Sequence, residues 1–458
     1  MTHTVLDRSV ILHLGLGAFH RAHQAAYLQQ LIDRGEERWT LASGNIRPGM
    51  EETIDALRVQ GGRYTLETVT PAGERSYRRI DSIRRVLPWQ RDLAEIVRLG
   101  GETTTRITSF TVTEAGYYLD TADRLDASHR DIRADLTSVR AGGSGTTIYG
   151  ALAALLRERC HRAAGPLTLL CCDNLRHNGD RSRGGLLQFI EHLPDPALLA
   201  WVRAETTSPN TMVDRITPRP TEALRERVQA AVGWMDGAPV MCEDFAQWVI
   251  EDRFCSGRPD LERVGVQIVP SVAPYEEAKI RILNASHSAI AWAGALSQRT
   301  FIHEVAGDRR LRGWVHEYVD DVIACLEPSP VDLRRYRDVT LGRFCNAALM
   351  DTIQRVAQDS YAKLRGFVSP TLCERLRRGQ PVEGAALLPA LYLAFLKHWH
   401  QGGLPFAYED SALPMERARA LTESRDPVAA LCGERGIWGE CAGDRRLYLA
   451  VRRAEQRL

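Results

Sequence analysis

Ser9-Val-Ile-Leu-His-Leu14 runs straight into Gly15-Leu-Gly17-Ala-Phe-His20, and a helix-period segment continues from about Ala18 to Arg34. A β-rich run, a glycine turn and a helix in that order form the context that a dinucleotide site requires. The first glycine makes the tight turn, and the second lets the backbone approach a pyrophosphate at the helix N-terminus. His20 replaces the third glycine of the usual pattern, so spacing alone is a weak match. After a second strand at Trp39-Thr-Leu-Ala-Ser43 comes Gly44-Asn-Ile-Arg47, and the nearest acids are Glu51 and Glu52. The acidic ribose ligand expected about 20 residues past the turn is therefore not clean. NAD and NADP both stay open, because Arg47 could face a 2′-phosphate. His20 and His23 are three apart but have no third ligand nearby, which argues against zinc.

Outward from the turn, β-rich runs alternate with helix-period segments, the pattern of a parallel sheet with crossover helices. Arg106-Ile-Thr-Ser-Phe-Thr-Val-Thr113 and Leu167-Thr-Leu-Leu-Cys-Cys172 read as further strands, and Val264-Gly-Val-Gln-Ile-Val-Pro270 as the last of this half. Beyond Pro274 helix-period runs dominate: Ile282–Leu296, Leu311–Leu326, Met350–Leu364 and Ala386–His400. The expected fold is α/β, with a Rossmann-type N-terminal domain over 1–275 and a mainly α-helical C-terminal domain over 276–458. A chain of 458 residues exceeds the length at which one core stops growing, which also favours two domains.

Composition narrows the partners. With 59 basic and 58 acidic residues the net charge is +1, which gives no support to a nucleic-acid or membrane-surface partner. Met1-Thr-His-Thr-Val-Leu-Asp7 does not begin a secretory signal, and the longest apolar stretch, Ala385 to Leu396, falls short of the ~20 residues a bilayer needs. The 10 cysteines form no CxxC pair or ligand rhythm and read as reduced thiols of a cytoplasmic protein. The expected partner is a small molecule, and assembly is limited no further than a monomer or small homo-oligomer.

A second signal lies past the predicted boundary, in Lys279-Ile-Arg-Ile-Leu-Asn-Ala-Ser-His287. At about 100° per residue, Asn284 and His287 fall about 140° and 80° from Lys279, so one helix face would present all three. An amine, an amide and an imidazole can hold a hydroxyl, take its proton and steady an oxyanion. Free lysine titrates at about 10.4, so a lysine base must be lowered by burial or nearby positive charge, with Arg281 a candidate. Glu276 and Glu277 would oppose that shift if they faced the amine. Asn174, just after the strand ending at Cys172, stands where ligands gather at the carboxyl ends of parallel strands. As a plain turn or helix cap, Asp173-Asn174 would mean nothing more.

Gly15-to-Gln24, Thr111-Val-Thr-Glu-Ala-Gly116, Pro209-Asn-Thr-Met-Val-Asp-Arg-Ile-Thr-Pro218 and Lys279-to-His287 stand in the order shown by the mannitol dehydrogenase family, and the chain resembles that family over nearly its whole length. Gly61-to-Thr68, Cys172-to-Gly179, Tyr275-to-Lys279 and Leu388-to-Leu391 are most similar to the branch that acts on D-arabinitol. The resemblance implies a metal-free polyol dehydrogenase with a nicotinamide cofactor, NAD before NADP, in the cleft between two domains. It implies Lys279 as general base, Asn174 and Asn284 as oxyanion donors, and His287 orienting the hydroxyl. Gly15, Gly17, Phe19, Arg21 and Thr113 would bind the cofactor. Asp214, Arg355 and Lys363 would contact the substrate, the last two from Gln354-Arg-Val-Ala-Gln-Asp-Ser-Tyr-Ala-Lys363.

The expected reaction converts D-arabinitol to D-xylulose or reduces the ketose. Mannitol/fructose and hexuronate pairs such as fructuronate or tagaturonate are the rivals inside the family. A uronate would need extra cation pairing, yet Arg355 and Lys363 are already assigned to hydroxyls. A non-catalytic NAD-binding regulatory protein is the rival from another class. A silent relative would be expected to lack at least one of Lys279, Asn174, Asn284 and His287. A zinc alcohol dehydrogenase would need a cysteine–histidine cluster that the sequence lacks.

Overall fold

The last four residues of Ser9–Leu14 are buried on both faces, as befits a central parallel strand. This is β1 of a six-stranded sheet in the computed structural model, which describes residues 8–120 and 122–458. The segment Met1–Asp7, read above for a signal, lies outside the described residues. Next come β2 (Trp39–Gly44), β3 (Ile83–Leu87), β4 (Thr105–Phe110), β5 (Leu167–Cys171) and β6 (Thr206–Thr207), each neighbouring pair parallel. Their spatial order is β3-β2-β1-β4-β5-β6, the doubly wound order of a Rossmann fold. Direction reverses between β1 and β4, where Leu14 pairs with Phe110. Gly15 and Thr111 therefore leave the sheet side by side, at the switch point where open α/β sheets bind ligands. Two apolar clusters flank the sheet, one around Leu152, Leu155 and Phe189, the other around Tyr27, Leu28 and Trp248.

Several expectations need correction. The helix expected over 18–34 splits into Ala18–Ala22 and Gln24–Ile32, because His23 adopts φ −117°, ψ −83°. Its ring packs against Phe19, Tyr27 and Trp248, and its Nε2 bonds the Gln247 carbonyl, contacts that a continuous helix would misdirect. The strand expected to reach Thr113 stops at Phe110, since Thr113 sits at φ 71°. The final strand shrinks to Gln267–Val269 and joins a separate sheet with Gln247–Glu251 and Thr211–Asp214. A third sheet joins Val240–Glu243, Tyr64–Val69 and Arg75–Ile80, beyond the strands that the sequence pattern marks.

The chain divides into two compact units between Val272 and Ala273, with Thr70–Glu74 grouped in the second. The second unit is helical around Trp292, Tyr318, Tyr392, Phe395 and Trp438. Leu387–His400 buries nine of its residues from Leu387 to Leu396, which accounts for the long apolar stretch as core. Among the described residues no helix is long and apolar enough to cross a membrane. The run expected as one helix over 350–364 breaks into Ile353–Ala357 and Ser360–Lys363, with Asp359 at φ 52° between them. The expected α-helix across Lys279 is Ala273–Ala278, a π-helical Lys279–Asn284, then α-helix again over Ala285–Leu296.

Candidate active site

In the first unit, a cavity of about 700 Å³ opens at the switch point, lined among others by Gly15, Gly17, Phe19, Thr113 and Asn174. Gly15 has φ 115°, and a Cβ there would lie 2.3 Å from the Thr111 carbonyl oxygen, so only glycine fits the turn. Gly17 differs. Its φ of −79° suits any residue, and a Cβ there would meet nothing within 4 Å. Protein packing does not demand a glycine at Gly17, while the cavity it lines has room for a close-approaching ligand. That combination fits the nicotinamide dinucleotide implied by the glycine pattern.

Two side chains brace this turn. Leu16 N–H donates to Asn45 Oδ1 at 2.6 Å, so the residue just past β2 supports the glycine loop with an amide. Asp173 accepts from Val112 N–H at 2.9 Å, Thr113 N–H at 3.0 Å and the Tyr117 hydroxyl at 2.5 Å. Those three donors hold Thr113 in its left-handed conformation at the cavity wall, with Asn174 next in the chain. Burial pushes the Asp173 carboxyl up more than the three bonds pull it down. Neither Asn45 nor Asp173 was assigned a role from sequence. The turn-forming Asp173-Asn174 pair was the available signal; Asn45 had none beyond its place after a strand.

Arg47 also lines the cavity, with Nε donating to the Thr146 carbonyl at 2.8 Å and Nη2 to the Tyr118 hydroxyl at 2.6 Å. Arg21 does not line it. Its guanidinium is buried, bonds the Ala238 carbonyl and lies over the Tyr64 ring, 5.5 Å from the centroid. Arg21, expected among the cofactor ligands, thus makes these contacts within the protein interior. Asp214 is buried at the end of Thr211–Asp214, away from the cavity lining. His20 and His23 diverge: His20 Nε2 meets Ser43 Oγ at 3.1 Å, while His23 Nε2 meets the Gln247 carbonyl at 3.0 Å.

Beneath the turn, His13 and His20 stack with centroids 3.5 Å apart. His13 Nδ1 meets Ser109 Oγ at 2.8 Å, and its Nε2 meets the Gly15 carbonyl at 3.2 Å. Burial drives His13 down to about 3 and His20 well below the usual histidine value. Both rings are neutral at pH 7, and His13 can donate to the carbonyl of the turn.

In the second unit Lys279 opens the π-helical segment and is buried. π-Helical turns are rare and recur at functional sites, because the wide turn re-aims side chains. The angles computed for an α-helix therefore do not describe this face. Asn284 and His287 follow as partly exposed positions among buried neighbours. Arg281 bonds Glu277 at 2.6 Å and Glu374 at 2.8 Å, so its charge is spent on two carboxylates rather than offered to an amine. A second π-helical segment, Leu364–Val368, begins right after Lys363 and packs against the first. Pro370, which has no N–H to continue an α-helical ladder, follows it closely.

Lys363 donates to the Val356 carbonyl and the Gln358 carbonyl, both at 2.7 Å, and burial lowers it to about 8. Arg355 forms a two-bond fork with Asp351, and His287 Nε2 lies 3.2 Å from the same carboxylate. His287, Asp351 and Arg355 thus form one cluster. Sequence reasoning missed Asp351, although its i, i+4 spacing to Arg355 on a helix-period run was a readable signal.

A 3-2-1-4-5-6 sheet with a ligand-sized cavity at its switch point, followed along the chain by a helical unit, defines a protein of Rossmann type. The description "Mannitol dehydrogenase Rossmann domain" matches residues 9–263, and "Mannitol dehydrogenase C-terminal domain" matches residues 271–458. The chain is 54% identical over 463 residues to D-arabinitol 4-dehydrogenase of Ralstonia nicotianae, covering 100% of this chain and 98% of that one. It is 49% identical over 434 residues to D-arabinitol 4-dehydrogenase of Klebsiella pneumoniae, covering 94% of each. The solved Pseudomonas fluorescens mannitol 2-dehydrogenase ternary complex with NAD and D-mannitol superposes with a TM-score of 0.83 at 33% identity, covering 98% of this chain and 91% of that one. The chain belongs to the mannitol dehydrogenase family of polyol dehydrogenases.

Proposed function

We propose that this protein is a metal-independent, NAD-dependent dehydrogenase that interconverts D-arabinitol and D-xylulose. The observation that carries the substrate is the end-to-end likeness to two D-arabinitol 4-dehydrogenases, at 54% and 49% identity. Gly15, Gly17, Phe19 and Thr113 would hold the cofactor, and the bonds from Arg47 to Thr146 and Tyr118 support NAD over a 2′-phosphorylated dinucleotide. Bound there, NAD would supply a hydride acceptor for the carbinol carbon.

The remaining chemistry belongs to the side chains. Lys279, as the uncharged amine, takes the hydroxyl proton. Asn284 and Asn174 donate amide N–H groups to the oxygen as charge develops, which amides do without titrating. His287 orients that hydroxyl, while Asp214, Arg355 and Lys363 meet the other hydroxyls of the chain. A matrix of initial rates with D-arabinitol, mannitol, sorbitol and fructuronate, each with NAD and with NADP, tests the proposal. The highest kcat/KM belongs to D-arabinitol with NAD and survives a chelator. Preference for mannitol or a uronate, or loss on chelation, would overturn it.

A further inference from the structure

One carboxylate at the centre of the second unit's polar cluster has no part in the chemistry above. Asp351 Oδ2 lies 3.2 Å from His287 Nε2, and Asp351 takes two bonds from Arg355, Nε to Oδ1 at 2.8 Å and Nη2 to Oδ2 at 2.7 Å. The Asp351 side chain is 11% exposed, against 66% for Arg355, so this fork is anchored at a buried end. The other wall of the His287 ring is Phe344, stacked with centroids 4.5 Å apart and planes 16° from parallel. The imidazole therefore lies against a flat apolar face, with a carboxylate 3.2 Å from a buried Nε2 that makes no aligned hydrogen bond.

The backbone fixes the carboxylate in turn. Ile302 N–H donates to the Asp351 carbonyl at 2.9 Å, and Phe301 pairs with Thr352 in an isolated antiparallel bridge. Thr352 Oγ1 then caps the helix Ile353–Ala357 by accepting from Arg355 N–H at 3.3 Å. Asp351 thus joins the helix that carries His287 to the short helix that carries Arg355. Burial lowers His287 more than the neighbouring carboxylate raises it, so the ring is neutral and has a single N–H to place.

We infer that Asp351 is a positioning residue of the polyol site, acting through His287 and Arg355; this rests on the polyol reading given above. The carboxylate is the charged acceptor 3.2 Å from His287 Nε2, which makes no aligned hydrogen bond, and its charge favours the proton on Nε2 and the lone pair on Nδ1. The imidazole then meets a substrate hydroxyl as an acceptor on a defined edge. The same carboxylate occupies one edge of the Arg355 guanidinium and leaves its remaining N–H groups directed for hydroxyl oxygens. Two side chains expected to touch substrate are oriented by one that does not.

The test is a kinetic cycle of Asp351→Ala, Asp351→Asn, His287→Ala and the His287→Ala/Asp351→Ala double variant, on D-arabinitol and NAD, with melting curves and NAD affinity measured alongside. Asp351→Ala lowers kcat/KM by about 10²-fold, as misplacement of a reacting arrangement does, with NAD affinity changed less than about twofold. Asp351→Asn, which keeps an acceptor oxygen for Nε2–H, recovers about tenfold of that loss. On the His287→Ala background Asp351→Ala costs at most about tenfold, because only the share that acts through Arg355 remains. An equal cost on both backgrounds, or no recovery in Asp351→Asn, marks a merely structural carboxylate and overturns the inference. A readout independent of turnover is the ¹⁵N shift of His287 in histidine-labelled protein, assigned with His287→Gln. The Nε2–H tautomer in the parent protein supports the tether, and the Nδ1–H tautomer overturns it. Failure of the polyol reading shows separately, as a parent protein inactive on every polyol.

Discussion

His13 shows how much of a site can rest on a group that never meets a ligand. Its ring, stacked on His20, can donate to the Gly15 carbonyl only while Nε2 carries the proton and Nδ1 accepts from Ser109. Burial holds His13 at about 3 and His20 well below 6.5, so both folded values are depressed. Below pH 6.5 the unfolded chain binds protons that the folded chain refuses. The stability these rings contribute is whole above pH 6.5 and is lost as pH falls toward 3. One such histidine adds a slope of up to about 1.4 kcal/mol per pH unit. Denaturant titrations from pH 8 to pH 4 should show His13→Gln less stable at pH 8 but with a shallower acid loss. An unchanged acid slope would mean that His13 is not the buried neutral group described. None of this was readable in Ser9-Val-Ile-Leu-His-Leu14, where His13 looks like one polar residue in a strand.

The glycine turn allows a separation at the scale of the element. Gly15→Ala places a methyl group 2.3 Å from the Thr111 carbonyl oxygen at a φ that strains any side chain. That substitution should lower the melting temperature and cofactor affinity together, with a stability loss of at least about 1 kcal/mol. Gly17→Ala meets nothing within 4 Å at an ordinary φ, so it should fold like the parent yet bind NAD at least about tenfold more weakly. Paired melting and NAD titrations check both, and a Gly17→Ala protein with unchanged NAD affinity would remove the cofactor from this turn. This element was legible because its strand is buried on both faces and so reads as a continuous apolar run ending at glycine. The π-helical Lys279–Asn284 was not legible, since α- and π-helical turns draw on the same residues and differ only in hydrogen-bond partners. The order Lys279, Asn284, His287 is in the sequence; the direction each side chain takes is not.

For the molecule as a whole, the doubly wound sheet and the helical second half followed from pattern, and the smaller sheets did not. Arg75-Ser-Tyr-Arg-Arg-Ile80 is a largely exposed edge strand and lacks the apolar alternation that would mark it. The pairing of His287 with Asp351 joins residues far apart in sequence, so no local periodicity could report it. Arg21, read from its motif as a cofactor ligand, has its guanidinium on the Ala238 carbonyl, and adjacency to a turn does not say which way a side chain points. The proposed reaction passes hydride from D-arabinitol to NAD with Lys279 as base. It is tested most directly by NADH and D-xylulose formation in the parent protein and in Lys279→Ala, with NAD affinity measured for both. The parent should form NADH and D-xylulose in equal amounts, while Lys279→Ala loses about 10²–10⁴ of the rate and keeps its NAD affinity. A variant that retains more than about a tenth of the parent rate with an unchanged pH profile would contradict it.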